Sequence, residues 1–276
     1  MRDLPILFSA PMVRAILEGR KTQTRRVMKE QPFSDGYFQG DVCLDQNGVY
    51  ARFSVEAVGG GGYRSEEYWC PYGDPRDHDR LWVREAWRVP DSLDASSGFD
   101  IAEQCISAGY RKPWCPIRYE ADGALNSHKD WREFGATPGE ATPGRYRHAR
   151  FMPRWASRIT LEVTGVRVER LQDISAADAI AEGIDRVENN FGNRPAFCDY
   201  GMADLSDSAE WFNDPTHSFR SLWDSINGAR EPKHIRRRRA KGMPVDRPPP
   251  TPGPNSWDAN PWVWVIEFKR IEVPHG

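Results

Sequence analysis

Hydrophobic residues near the amino end of the chain repeat at helical spacing and predict a short helix over 9–18. Ser9 can cap its start, and Pro11 falls in the first turn, where a missing N–H has little effect. The apolar face consists of Met12, Val13, Ile16 and Leu17. Gly19 predicts the end of the helix, and the basic segment 21–27 then continues as a turn or a strand.

Farther along the chain, alternating apolar and polar positions predict three strands, at 81–87, 158–170 and 262–269. Helical periodicity predicts two more helices, at 175–182 and 218–227. The stretches between are rich in turn-forming residues and are predicted to be irregular insertions near 31–79, 90–148, 186–215 and 229–258. This pattern predicts an α+β fold, a small β-barrel core decorated by loops, in a single domain over 1–276.

Composition narrows the function only slightly. The formal charge of −2 provides no global positive field, so nucleic-acid binding is neither required nor excluded. The run Arg236–Arg239 can touch phosphates, but such a run is more typical of a solvated loop. The 11 tryptophans offer flat surfaces for a core or for stacking on bases, and the core is the simpler interpretation.

The five cysteines form no C-x-x-C pair, and their odd number and spacing fit neither a disulfide framework nor a zinc site. The zinc deaminase signature, H-x-E followed by P-C-x-x-C, is absent, which argues against metal-dependent base deamination. We therefore expect no metal and no cofactor. Because no apolar run reaches about 18 residues, we expect a soluble, cytoplasmic protein with no membrane partner. No sequence feature indicates an oligomeric state.

Lys21 and Thr24 are the first candidates for chemistry, because their spacing just past a helix end can bring an amine and a hydroxyl together. A threonine hydroxyl becomes a nucleophile only when a base takes its proton, and a lysine acts as that base only when neutral. Burial or neighbouring positive charge produces that state, and Arg20, Arg25 and Arg26 supply such charge. The spacing alone favours a simpler interpretation, in which a basic turn follows a helix because its dipole attracts cations.

Two glutamates are further candidates. Glu182, in the last turn of its predicted helix, opposes the helix dipole by about 0.3–1 kcal/mol. A lysine from elsewhere in the fold, such as Lys21, can hold it, or it is solvated or pairs locally with Arg186. Glu85 follows Trp82 on a predicted strand and either accepts a hydrogen bond from an exocyclic amine or forms a buried salt bridge with an arginine.

Several segments resemble a known family, in the correct order along the chain. Ile16–Arg26, which contains Gly19-Arg20-Lys21-Thr22-Gln23-Thr24, is similar to the opening motif of ASCH domains in the PUA-like superfamily. The later matches to family strands and a helix are Leu81–Glu85, Ile159–Leu171, Asp173–Ile184 and Val265–Lys269. Cys70–Gly73 and Asn260–Trp262 resemble the longer form found in phages and prophages. The turn that enters Leu81 departs from the compact Gly-Asp turn that the family often has.

The resemblance implies a small PUA-like barrel and an amidohydrolase that acts on N4-acetylcytidine. The catalytic lysine, threonine and glutamate of such enzymes match Lys21, Thr24 and Glu182. A small N4-acylated nucleoside is the implied substrate, and its binding residues are expected to be Arg26, Glu85 and Trp82. Thr24 then either attacks the acyl group or only positions a water molecule that Lys21 or Glu182 activates, and neither route needs a metal.

Two other functions compete with this one. PUA-like folds commonly bind RNA or modified bases, so the chain is alternatively a binding module or a ribonuclease without amidohydrolase activity. The third possibility is a phage-associated interaction protein whose insertions, above all 229–258, contact a partner.

Overall fold

The computed structural model describes residues 1–32, 37–56, 62–113, 115–126, 142–187, 195–201, 211–228, 238, 242–244 and 253–272. The chain divides into two compact units, each assembled from separate segments. The first unit consists of Met1–Gly19, Pro71–Gly165 and Phe268–Gly276, and the second of Arg20–Cys70 and Val166–Glu267. The single-domain assignment stays a prediction.

The strands are β1 Asp3–Leu7, β2 Gln23–Val27, β3 Tyr37–Asp45, β4 Gly48–Glu56, β5 Tyr63–Trp69, β6 Arg80–Arg84, β7 Trp87–Arg88, β8 Arg118–Tyr119, β9 Thr160–Arg170, β10 Arg186–Val187, β11 Ala196–Cys198, β12 Trp211–Phe212 and β13 Trp262–Ile271. The α-helices are α1 Ala10–Leu17, α2 Gly98–Ser107, α3 Ala176–Ala181 and α4 Pro215–Asn227. The helices predicted near the amino end, at 175–182 and at 218–227 are confirmed as α1, α3 and α4. The α+β fold class is confirmed as well.

In the first unit, β1 runs parallel to β6, and β6 pairs antiparallel with the start of β9. Helix α1 buries the apolar face that its sequence predicts, including Val13 and Ile16. A separate core cluster surrounds Trp87, which is fully buried. Helix α2 contributes Ile101 to this cluster, so the stretch 90–148, predicted to be irregular, contains a helix anchored by its apolar side.

In the second unit, β2 pairs antiparallel with β13, from Gln23 opposite Glu267 to Val27 opposite Val263. Strands β3, β4 and β5 form an antiparallel sheet of their own. The prediction that 31–79 is irregular is therefore wrong. One face of β4 is buried through Val49, Ala51 and Phe53, and the Phe53 ring packs against Trp262 at 4.9 Å. Part of the glycine run that suggested irregularity, 59–61, lies outside the described residues.

Open sheets account for the strands of the described residues, and none closes into a barrel. None of the helices in this part of the chain could span a lipid bilayer. Most of the Arg236–Arg239 run and of the insertion at 229–258 lies outside the described residues. The insertion at 186–215 contains β10, β11 and β12, which form a small sheet.

The turn before β6 is organised by the buried carboxylate of Asp79. It accepts hydrogen bonds from the Arg2 backbone N–H at 2.5 Å, from Arg2 Nε at 2.8 Å and from the Asp74 N–H at 2.9 Å. Gly73 approaches this carboxylate so closely that a Cβ built on it would lie 2.8 Å from Asp79 Cβ. This chain therefore uses Asp79 to enter β6, where the resembled family often has a Gly-Asp turn.

The close approach at Gly73 predicts a specific loss of stability. Gly73 has φ +110° and Gly109 has φ +87°, but a Cβ at Gly109 would meet nothing within 4 Å. Gly109→Ala therefore measures backbone strain alone, and we expect Gly73→Ala to lower the free energy of unfolding by about 1–3 kcal/mol more than that control. Urea unfolding monitored by tryptophan fluorescence measures both, and equal losses would show that the contact with Asp79 relaxes freely.

Candidate functional site

Within the second unit, the turn that precedes β2 meets the carboxyl end of α3. The Thr22 N–H donates a hydrogen bond to the Ala181 carbonyl at 2.9 Å. Lys21 Nζ donates to the Glu182 carbonyl at 2.7 Å. The last carbonyls of a helix have no partner within the helix, and positive charge there is favourable. The basic turn therefore stabilises the end of a different helix from the one it follows in the sequence.

Arg20 extends this contact past the helix end. Its Nη1 donates to the Gly183 and Ile184 carbonyls at 3.0 and 3.2 Å, and its Nη2 pairs with Asp185 at 2.9 Å. Arg20 thus holds the chain that leaves α3 and fixes where Glu182 sits. Its guanidinium is partly exposed, and its role here is structural.

Lys21 and Glu182 form a buried ion pair. Nζ lies 2.8 Å from Oε2, and the two side chains are 1% and 5% exposed. Burial lowers the pKa of Lys21, because an ammonium group loses its hydration there. The Glu182 carboxylate opposes this change, while the charges of Arg26 and Arg25 reinforce it. The structure therefore brings two of the three predicted catalytic residues into contact.

Arg25 is the central cation of a wider network in the same unit. Its side chain is 0% exposed, and it pairs with Glu169 at 2.7 Å, with Glu182 at 3.2 Å and with Asp178 at 3.3 Å. Its guanidinium lies 5.9 Å from the centre of the Phe219 ring on α4. A buried arginine needs such partners, since an unpaired charge in an apolar interior is strongly unfavourable.

Arg167 forms the outer part of this network. It pairs with Asp178 at 2.9 Å and also contacts Glu169 and Glu267. Gln23 Nε2 donates to the Asp178 carbonyl at 3.1 Å. Strands β2, β9 and β13 and helix α3 thus contribute charged or polar side chains to one connected cluster.

Thr24 is buried in β2, opposite Ile266 of β13. Side chains alternate along a strand, so Thr24 leaves β2 on the face opposite to Gln23 and Arg25. Arg25 is the neighbour that reaches Glu182. Arg26 shares the face of Thr24 and is half-buried. Thr24 and Arg26 thus leave β2 on the face opposite to Arg25, although the charge of Arg26 still acts on Lys21, which precedes the strand.

Glu85 and Trp82 belong to the first unit. Glu85 follows the end of β6 and accepts two hydrogen bonds from Arg158, at 2.8 Å from Nε and 2.9 Å from Nη2. Burial raises the pKa of Glu85, and the hydrogen bonds from Arg158 oppose the rise. Of the two interpretations left open by the sequence, the buried salt bridge is the one found. Trp82 packs with Arg84, whose guanidinium lies 4.6 Å from its ring.

Sequence reasoning named Arg25 only as one of the charges near Lys21, and it missed Glu169 and Asp178 as members of the site. The one signal in the sequence was a charged residue, Arg25, on the same strand face as Gln23. Its partner Glu169 is 144 residues away, so no local pattern links the two. Among the described residues, no group of three or more His, Cys, Asp or Glu could hold a metal ion.

Comparisons with protein-family models, with curated proteins and with solved structures find no significant match to this chain.

The Glu85–Arg158 bridge predicts a large structural effect of Glu85. Glu85→Ala leaves Arg158 with Asp122 as its remaining carboxylate, and breaking a buried pair is expected to lower the free energy of unfolding by about 3 kcal/mol. The control Asp3→Ala removes an exposed pair with Arg154, which is expected to contribute about 0–1 kcal/mol. Urea unfolding compares the two variants. A loss in Glu85→Ala no larger than in Asp3→Ala would contradict the structural role.

Proposed function

We propose that the chain is an amidohydrolase that removes acyl groups from the exocyclic N4 of cytidine-type nucleosides, with Lys21, Thr24 and Glu182 as its reacting groups. The single observation that carries the proposal is the buried contact between Lys21 Nζ and Glu182 Oε2 at 2.8 Å. The resemblance to ASCH domains, and with it a PUA-like arrangement of the strands, supplies the substrate class.

The environment of Lys21 supports its use as a base. Only a neutral lysine can accept a proton, and burial favours the neutral form of Lys21. Lys21 Nζ takes the proton of the attacking hydroxyl, which belongs either to Thr24 or to a water molecule. The hydroxyl oxygen then adds to the acyl carbon. The C–N bond then breaks, and the ammonium returns the proton to N4 of the leaving cytosine. Water supplies the second oxygen of the released carboxylic acid.

Glu182 supports this reaction with both its backbone carbonyl and its side-chain carboxylate. Its carbonyl and its carboxylate each accept a hydrogen bond from Nζ, so the amine is held in one orientation. The carboxylate also stabilises the ammonium that forms when Lys21 takes up the proton. Arg26, whose charge acts on Lys21, is the proposed partner of the negative oxygen that develops on the acyl group.

Thr24 has two possible parts in the reaction. It attacks the acyl group and forms an ester that water then hydrolyses, or it positions the water that Lys21 activates. Thr24→Ser retains a hydroxyl and Thr24→Val removes it at similar volume. A covalent route requires loss of turnover in the valine variant alone, together with an acyl-enzyme intermediate detectable by mass spectrometry of the wild type.

A binding module for RNA or modified bases is the second candidate. It is supported by arginines that lie over aromatic rings in the first unit, with Arg150 4.6 Å from the ring of Phe151, which is 63% exposed. Such rings stack on bases, and arginines bind phosphates. Binding of RNA without product formation, unchanged in Lys21→Ala, would favour this function over the first.

The first test is hydrolysis of N4-acetylcytidine by purified protein. We expect Lys21→Ala and Glu182→Gln to lower kcat/KM at least about 100-fold, because each removes a group that moves or holds the transferred proton. Lys29→Ala and Glu30→Gln are matched controls, since both side chains are exposed just after β2 ends. Undiminished turnover in the Lys21 and Glu182 variants would refute the catalytic assignment.

The second test is the pH dependence of the reaction. The protonated form of Lys21 is inactive as a base, so kcat/KM should rise with pH and level off when Lys21 becomes neutral. Because burial lowers the pKa of Lys21, the rate is expected to level off at a lower pH than the ordinary lysine pKa of 10.5 would give. A rate that falls as the pH rises from 6 to 10 is incompatible with a lysine base.

A further inference from the structure

The Glu182 carboxylate is divided between two cations. Oε2 accepts a hydrogen bond from Lys21 Nζ at 2.8 Å, and Oε1 accepts one from Arg25 Nη1 at 3.2 Å. The two oxygens of a carboxylate move together, so a bond to one of them fixes the direction of the other. Glu182 is also the residue that caps the carboxyl end of α3, where the helix dipole disfavours negative charge.

We propose that Arg25 is a positioning residue, which holds one oxygen of Glu182 so that the other is directed at Lys21. This inference rests on the proposed function, because it assigns Arg25 a part in preparing the same lysine. Arg25 donates its hydrogen bond to Glu182 and not to the reacting groups, so it is not a catalytic residue.

Its own position is fixed by more than one element. Arg25 Nη2 bonds Glu169 Oε2 on β9 at 2.7 Å and lies 3.3 Å from Asp178 Oδ2 on α3. The planar fork of an arginine can bond several carboxylate oxygens at once, whereas a lysine is a single point of charge. Two carboxylates therefore hold the Nη2 end of the guanidinium, while its Nη1 donates to Glu182.

Arg25 also acts on the charge balance around Lys21. The charged groups that act on Lys21 are the Glu182 carboxylate from the end of α3 and the Arg25 and Arg26 guanidiniums from β2. A carboxylate paired with Lys21 alone would strengthen its hold on the proton. Arg25 shares that carboxylate and adds positive charge, and both effects favour the neutral amine.

Arg167 is a matched control for Arg25. It is also an arginine of the second unit, and it contacts Glu169 and Asp178, which are partners of Arg25 as well. Its third ion pair in the described part of the chain is with Glu267 on β13. Arg167→Gln therefore perturbs the same network without removing the bond to Glu182.

The experiment compares the full-length wild type, Arg25→Gln and Arg167→Gln by two measurements. The first is the titration midpoint of Lys21, followed by NMR of protein labelled at lysine Cε and assigned with Lys21→Arg. The second is the pH profile of kcat and KM for N4-acetylcytidine. Circular dichroism checks that each variant is folded.

We expect Arg25→Gln to raise the Lys21 midpoint by about one pH unit, because a neighbouring positive charge is lost. The rising limb of kcat/KM should move by the same amount, and kcat should fall about 10-fold at neutral pH while KM changes less than about twofold. Arg167→Gln should move the midpoint by less than about 0.3 unit, since screened and more distant charges contribute little.

The two measurements separate the failure of this inference from that of the proposed function. Equal Lys21 midpoints and equal kcat in Arg25→Gln and Arg167→Gln overturn the positioning role, even when the wild type hydrolyses the substrate. Absence of hydrolysis in every protein, with a midpoint that moves only in Arg25→Gln, refutes the proposed function and leaves the positioning of Glu182 standing.

Arg25→Gln leaves three carboxylates without this cation, so a second variant covers the case in which it does not fold. Arg25→Lys retains the charge but not the fork. We expect its Lys21 midpoint to stay within about 0.3 unit of the wild type and its kcat to fall about 10-fold, because one ammonium cannot hold Glu182 and Glu169 together. Wild-type kcat in a folded Arg25→Lys variant would overturn the inference.

Discussion

The second unit depends on one buried ion pair at the end of α3. Glu182 is a carboxylate at the terminus of a helix whose dipole disfavours it, and it is almost completely removed from water. Two buried charges are tolerated only when their attraction and further hydrogen bonds compensate for lost hydration. Lys21 meets this requirement by bonding both the carboxylate and the carbonyl of Glu182, and Arg25 adds the third bond. The turn before β2 is consequently held against α3.

A second buried carboxylate shows why this pair, and not another, is the candidate for chemistry. Both oxygens of Glu85 are bonded by a single arginine, Arg158, which also pairs with Asp122 and stacks 4.0 Å from the Tyr119 ring. An arginine keeps its proton under all ordinary conditions, so this arrangement can only hold structure together. The Glu182 carboxylate instead faces a lysine, which can release and recover a proton. Burial is common to both sites, and the type of cation distinguishes them.

Local patterns in the sequence predicted the elements that carry the site. Helices α1, α3 and α4 and the strands β9 and β13 follow from periodicity within short windows, because a helix or strand must turn its apolar side inward. The sheet β3–β5 was not predicted. The glycine run and the turn residues of 31–79 indicated irregular structure. The alternation of the apolar residues Val49, Ala51 and Phe53 spans only one strand and did not outweigh them. Strand alternation also indicates that Thr24 and Arg25 face opposite sides of β2, although the motif presents them as neighbours.

The sequence by itself determined the candidates for chemistry: a lysine after a helix end, and a glutamate placed against its helix dipole. It could not determine that they meet, because Lys21 and Glu182 are 161 residues apart and nothing local selects one partner over another. The tertiary structure decided that contact, placed Arg25 on the same carboxylate, and joined Glu85 to Arg158. The physical reason is that burial makes every charge require a partner, and only the packed chain determines which partner is within reach.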